Sequence, residues 1–169
     1  PEDELFVVDN GSTDGSAELV RRRFPHARLI ETGSNLGYAG GCNAGLREAA
    51  GRMLVCAYLD IEARPGWLQA LVDTLADDRV GVAGSKLLGP DGRIQHAGGS
   101  VGYPQALPDL PGRGETDRGQ WDAPREVDYV MGAALAIRRE VLEQIGAFDE
   151  CFFPAYFEET DFCCRARLA

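Results

Sequence analysis

The apolar positions of this chain fall into short unbroken runs separated by amphipathic stretches. Leu5 to Val8 does not alternate and reads as a buried strand. Asp9-Asn10-Gly11 stops it, and Ser12, Thr13 and Asp14 suit the N-cap of a helix with Ala17, Val20 and Phe24 at helical spacing. Pro25 closes that helix, and Arg28 to Glu31 is a second short strand. Met53 to Leu59 repeats the opening design, an apolar run followed by a carboxylate, Asp60. Trp67 to Ala76 carries Leu68, Leu71, Val72 and Leu75 on one helical face. Val80 to Leu88 reads as a strand kinked at Gly84, and Ile94 to Val101 as another that holds His96. Val127 to Ile137 is apolar around Gly132-Ala133-Ala134, and Arg138 to Ile145 is a short helix ended by Gly146. Tyr156 to Asp161 opens a last helix. Strands alternating with helices in this way predict an α/β fold, a mainly parallel sheet flanked by helices.

Two stretches break the rhythm. Residues 33–43 hold Gly33, Gly37, Gly40 and Gly41 with Asn35 and Asn43, and read as a loop before a helix at Ala44 to Ala50. Such a loop either offers backbone N–H groups to a phosphate or ribose, or is a tight crossover. It is neither a P-loop nor the dinucleotide fingerprint. Residues 102–126 are rich in proline, glycine and charge, and predict a long irregular segment, a binding lid or a surface excursion.

Composition narrows the partners. With 169 residues the chain suits one domain, and a net charge of −10 gives no basic field for nucleic acid or an anionic membrane. A phosphorylated ligand would need local help from a cation or a helix N-terminus. The five cysteines, Cys42, Cys56, Cys151, Cys163 and Cys164, form no CxxC pair and read as buried apolar groups in a reducing compartment. No apolar run approaches the roughly 18 residues of a membrane span.

Three acidic positions carry the candidate chemistry: Asp9, Asp60 and the Glu158-Glu159 pair. Ligands of open α/β sheets bind beyond the carboxyl ends of strands, so Asp9 and Asp60 are expected to share a cleft. Carboxylates and diphosphate oxygens together suit a hard divalent cation. A separate carboxylate could take a proton from an acceptor hydroxyl. The plainer alternative is that Asp9 ends a strand and Glu158 and Asp161 complement a helix dipole.

Seven segments, in order, resemble one family. They are Val-Val-Asp-Asn-Gly-Ser-Thr-Asp-Gly-Ser (7–16), Asn-Leu-Gly-Tyr-Ala-Gly-Gly-Cys-Asn (35–43) and Asp60 with Arg-Pro-Gly-Trp-Leu (64–68). Pro-Asp-Gly-Arg-Ile-Gln-His-Ala-Gly-Gly (90–99), Gly-Ala-Ala-Leu-Ala-Ile-Arg-Arg-Glu (132–140) and Gly-Ala-Phe-Asp-Glu (146–150) come next. The last is Phe-Phe-Pro-Ala-Tyr-Phe-Glu-Glu-Thr-Asp-Phe-Cys-Cys-Arg-Ala-Arg (152–167). The chain resembles the family-2 glycosyltransferases of GT-A fold, above all their rhamnosyltransferase-like branch.

The resemblance implies a single, partial catalytic domain over 1–169, lacking the family's first strand–helix unit and its C-terminal part. One flank of Leu5–Val8 is then expected to be open, an edge that a second copy could cover. It implies that Asp9, Ser12, Asn35, Gly41, Asn43 and Asp60 bind a nucleotide-sugar donor, with Asp60 holding Mn or Mg. Glu159, with Glu158 beside it, would be the base of an inverting displacement, and His96 and Gly132 would face a saccharide or lipid-linked acceptor. The implied setting is cell-surface polysaccharide or glycolipid synthesis, in the cytoplasm or at the inner membrane face. Leu59 stands where the family often has a polar or acidic residue, and Glu159 where it usually has Asp. These departures keep open a non-catalytic nucleotide-sugar-binding or scaffold domain. A nucleotidyltransferase would need a glycine-rich basic loop after its first strand, which is not seen.

Overall fold

The strand that completes the main sheet is the last one in the chain. The computed structural model describes residues 3–104 and 107–169. The strands are β1 (Phe6–Asp9), β2 (Arg28–Glu31), β3 (Met53–Ala57), β4 (Val82–Gly84), β5 (Leu87–Leu88), β6 (Ile94–His96), β7 (Ser100–Gly102), β8 (Leu107–Asp109) and β9 (Ala134–Arg138). The helices are α1 (Ser16–Arg23), α2 (Gly37–Glu48), α3 (Trp67–Leu75), α4 (Arg139–Ile145) and α5 (Glu158–Leu168), with a 3₁₀ turn at Glu150–Phe152.

β9 lies between β3 and β4 and runs antiparallel to both, Val55 opposite Ala136 and Val82 opposite Ile137. β3 and β4 therefore point the same way, and β1 and β2 pair in parallel. The α/β class holds, but among the described pairings only β1–β2 is parallel. A strand buried on both faces has the same apolar run in either direction, so its polarity was not legible in residues 127–137.

Successive side chains of β9 divide the core. Leu135 and Ile137 join Leu54 and Cys56 under Ala39 and Leu46 of α2, with Phe148 and Phe162 closing that layer. Ala136 faces Ala83, Leu71 and Leu75 on the side of α3. This period-two division lets one strand serve both layers. Phe162 is fully buried, its ring 4.8 Å from that of Phe148. Arg165 fixes α5 by donating to the carbonyls of Ile145 at 2.8 Å and Ala147 at 2.9 Å.

β1 pairs with β2 alone among the described residues, and Phe6, Val7 and Val8 are only half-buried. The expected open flank is present, and the expectation of a fully buried strand is corrected by it. β3 alternates buried and exposed residues, with Val55 exposed, so it too is less enclosed than its apolar run suggests.

Three further expectations change. The glycine-rich stretch is mostly helix, because α2 begins at Gly37. Asn10 Oδ1 accepts from Leu36 N at 2.9 Å and Asn35 Oδ1 accepts from Gly37 N at 2.9 Å, occupying two backbone donors at its start. The segment 102–126 is folded where described. β7 pairs with β8, Arg93 bridges to Thr116, and Lys86 Nζ is held by Asp117 and Asp122. Gln105 and Ala106 lie outside the described residues. Cys56 and Cys163 are buried and Cys42 half-buried, but Cys151 and Cys164 are exposed. Among the described residues no helix is long and apolar enough to cross a membrane.

Candidate active site

Asp9 ends β1 and is buried, and among the described residues its carboxylate accepts no hydrogen bond. Its backbone carbonyl takes Thr32 N at 3.1 Å. Ser12 lies beyond it, exposed. Asn10, the next residue, is the connection that the sequence reading missed. Its Nδ2 donates to Gly37 O at 2.9 Å and to Asn35 Oδ1 at 3.2 Å, while its Oδ1 receives Leu36 N. One side chain thus ties the end of β1 to the head of α2. Gly41 allows this approach, since a Cβ there would lie 3.2 Å from Asn10 Nδ2. The only signal in the sequence was the position of Asn10 directly after Asp9.

Asn35 is exposed at the mouth of this turn, whereas Asn43 is interior. Asn43 Nδ2 donates to Phe148 O and to Glu150 Oε1, both at 2.9 Å, and its Oδ1 receives Phe148 N at 3.1 Å. All three contacts are within the protein. Asn43 therefore clamps α2 to the 148–150 turn.

Asp60 stands in the exposed turn after β3. Tyr58, two residues before it, donates its backbone N–H to Ala133 O at 2.9 Å. Its phenol is pushed up to about 12, by burial first and then by the charges of Glu159, Cys42, Glu158 and Asp60. Tyr58 thus feels the charges of Asp60, Glu158 and Glu159, and Asp9 is not among them.

Glu158 and Glu159 begin α5 after Tyr156 and Phe157, both in the left-handed backbone region at φ 89° and 73°. Two such non-glycine residues in succession are costly and mark a constrained delivery of the two glutamates. Glu158 is buried and its Oε2 has no hydrogen-bond partner. Glu159 is half-buried, and burial first, then the neighbouring Glu158, raises its carboxyl above the ordinary range. The Glu159 and Gly132 backbone N–H groups pull it partly back. A raised carboxyl pKa moves a base towards neutral working pH.

Gly132 is buried behind this pair and accepts Tyr38 Oη–H at 2.8 Å. His96 is fully enclosed, with both ring nitrogens unpartnered and its ring 5.8 Å from that of Tyr129. Burial first, then the charges of Arg113 and Arg125, lowers it to about 4. Tyr129 also feels the charge of Glu159, which connects this region to the start of α5.

The sequence profile of the family described as "Glycosyl transferase family 2" matches residues 1–146. The chain belongs to that family. Its relatives include an N-acetylglucosaminyl-diphospho-decaprenol L-rhamnosyltransferase of Mycobacterium tuberculosis, 31% identical over 188 residues, covering 93% of this chain and 58% of the relative. The O-antigen biosynthesis protein RfbC of Myxococcus xanthus is 33% identical over 162 residues, covering 90% of this chain and 12% of that protein. A mannosyltransferase from Pyrobaculum calidifontis, solved in complex with GDP-Man and Mn2+, aligns with a TM-score of 0.59 at 26% identity. That alignment covers 87% of this chain and 38% of the mannosyltransferase. The chain thus spans little more than half of the first of these relatives, and its fold is the GT-A fold of the family.

The family's divalent cation has a limited donor set in this chain. Among the described residues no three His, Cys, Asp or Glu side chains gather closely enough to hold a metal ion. Among the described residues Asp60, exposed after β3, would be a single carboxylate donor, so such a cation would need oxygens from other sources, as Mg2+ commonly takes them from phosphates and water.

Proposed function

We propose that the protein is an inverting glycosyltransferase that moves a sugar from a nucleotide-diphosphate donor to an acceptor hydroxyl. The observation that carries this reading is the family profile that matches residues 1–146. The fold supports it: the Tyr58 N–H bond to Ala133 O ties the turn that bears Asp60 to the segment before β9, and Tyr38 ties that segment, at Gly132 O, to the loop before α5, at Pro154 O.

In this mechanism Asp9 and Ser12 receive the base or ribose of the donor, and Asn35 borders the same turn. Asp60 would hold the cation, which supplies charge neutralisation to the leaving diphosphate. Glu159, raised by burial, accepts the proton of the attacking hydroxyl as that oxygen closes on the anomeric carbon. Glu158 lies next to it in the chain, buried, with Oε2 unpartnered. His96 and Gly132 border the acceptor side. The acceptor class is a saccharide or a lipid-linked saccharide of cell-surface polysaccharide synthesis, which would put the reaction at the inner face of a membrane. The M. tuberculosis relative, named for a diphospho-decaprenol compound, supports that class. The free edge of β1 suits a second copy of the chain.

The single-carboxylate cation site favours one competing reading, a domain that binds nucleotide sugars without turnover. Thermal shift of the full polypeptide against UDP-, GDP- and dTDP-sugars, with and without Mn2+, followed by a transfer assay with the stabilising donor, separates the two. A cation-dependent rise in midpoint with transfer supports the enzyme. The same rise with neither transfer nor donor hydrolysis sinks it.

A further inference from the structure

The loop that leads into α5 lies against the head of α2. Pro154 O accepts the Tyr38 N–H at 3.0 Å. Asn10 Oδ1 holds Leu36 N and Asn35 Oδ1 holds Gly37 N, so the backbone donors of residues 36, 37 and 38 are all taken by protein groups. A phosphate finds none of these three N–H groups free. A nucleotide donor that lodges at this turn therefore meets it with its nucleoside rather than its diphosphate. The side chains around the turn suit that part. Phe153 lies on Gly37, where a Cβ would stand 3.0 Å from Phe153 Cδ2, and yet Phe153 is 61% exposed. The Gly37 N–H and Asn10 Nδ2 both donate to Asn35 Oδ1, so Asn35 Nδ2 is left without an acceptor among the described residues. The Asp9 carboxylate, one residue before Asn10, is left without a donor among the same residues. A nucleobase carries what this turn lacks: a hydrogen-bonding edge and a flat π-face.

We infer that Phe153 is a donor-binding residue, its exposed ring stacking on the nucleobase at the head of α2. This rests on the proposed use of a nucleotide-diphosphate donor and adds to it the contact for the flat face of the base. Asp9 and Asn35 offer polar groups to the base or the ribose, and neither offers an apolar surface. Phe153 does, and an aromatic ring accepts any of the bases, because each has a π-face. The same ring sits in the loop that delivers Glu158 and Glu159, so a bound base also rests on that loop.

The test compares Phe153→Ala, Phe153→Leu and Phe153→Tyr in the full polypeptide. Calorimetric titration in Mn2+ uses UDP, GDP and dTDP, with inorganic pyrophosphate as the ligand that has no base. Phe153→Ala should weaken whichever nucleoside diphosphate the parent binds by about fivefold or more and leave pyrophosphate within about twofold. Phe153→Leu, apolar but without a ring, should lose as much as Phe153→Ala. Phe153→Tyr keeps the ring and should stay within about twofold of the parent. A smaller loss in Phe153→Ala overturns the inference, and so does full affinity in Phe153→Leu, which would mean a general apolar contact. Equal weakening of pyrophosphate overturns it too, because the effect would then lie in the phosphate site. Parent protein that binds a nucleoside diphosphate but neither transfers nor hydrolyses the matching nucleotide sugar removes the transferase reading alone, and the three variants still decide the role of Phe153. Parent protein that binds none of the three nucleotides overturns both.

Discussion

Asn43 and Phe148 exchange two hydrogen bonds across 105 positions of sequence, Nδ2 to the Phe148 carbonyl and the Phe148 N–H to Oδ1. The side chain thereby completes a backbone pairing that no strand provides. Asn43 is 3% exposed and Phe148 is 3% exposed, so neither partner has water to fall back on.

Replacing Asn43 with Leu should therefore cost about 2–4 kcal/mol, because it leaves a buried N–H and a buried carbonyl unpaired. Urea unfolding at neutral pH checks it. Asn43→Asp tests orientation. It keeps the acceptor for Phe148 N–H but turns an oxygen towards Phe148 O and Glu150, and should be at least as unstable as Asn43→Leu. A loss under about 0.5 kcal/mol in both variants would remove Asn43 from the structural account.

His96 sets an acid limit. Its folded pKa lies at about 4 and its ordinary value at 6.5. The neutral ring is favoured in the native state, so this contribution to stability is complete above about pH 6.5 and disappears as pH falls towards 4. The full effect is on the order of 3 kcal/mol. His96→Leu should remove that part of the pH dependence. Urea midpoints of both proteins at pH 7.5 and pH 4.5 measure it, and equal losses across that interval would refute it.

The strands up to β4 and the helices α1, α3 and α4 were legible because they rest on local signals: unbroken apolar runs and helical spacing. What was not legible depends on partners distant in sequence. The direction of β9 is set by which strands flank it, and its own residues read alike in both directions. The run 33–43 looked like a loop because glycine is a poor helix former. The structure makes it helix because Asn10 and Asn35 hold its first turn and Asn10 needs the space at Gly41. Asn43 drew a ligand-binding reading from its neighbours in the motif, yet its amide is consumed by a turn 105 positions away. Tyr38 read as one aromatic in a glycine-rich run, and its contacts with Gly132 and Pro154 lie far along the chain.

Asp60 is exposed and is the cation ligand of the proposed mechanism. Asp60→Asn should leave the urea midpoint within about 0.5 kcal/mol of the parent, as expected for a surface exchange. It should abolish the difference that Mn2+ makes to nucleoside-diphosphate binding. Calorimetric titration with GDP, UDP or dTDP, in Mn2+ or in EDTA, reads this directly. If Mn2+ strengthens binding equally in parent and variant, the cation is held elsewhere. In the parent, EDTA should weaken binding of the diphosphate and leave that of the nucleoside unchanged, since only the diphosphate oxygens share the ion.

Gly132→Ala applies pressure to the Tyr38 contact from the other side. A Cβ would meet Tyr38 Oη at 2.4 Å and Cζ at 2.7 Å, distances that require movement. Tyr38 cannot give way freely, because Tyr58 and Phe148 hold its ring and Pro154 holds its backbone. The turn must shift instead, at a cost of about 1–3 kcal/mol, typical of overpacking a buried position. Tyr38→Phe removes the nearer of the two clashing atoms and so should recover part of that loss. The two substitutions together should cost less than the sum of their separate costs, with a coupling of about 0.5 kcal/mol or more. Four urea-unfolding measurements complete the cycle. Strict additivity would mean that the hydroxyl does not press on Gly132, and a larger loss in the double variant would mean that the turn depends on the hydroxyl more than the added methyl disturbs it.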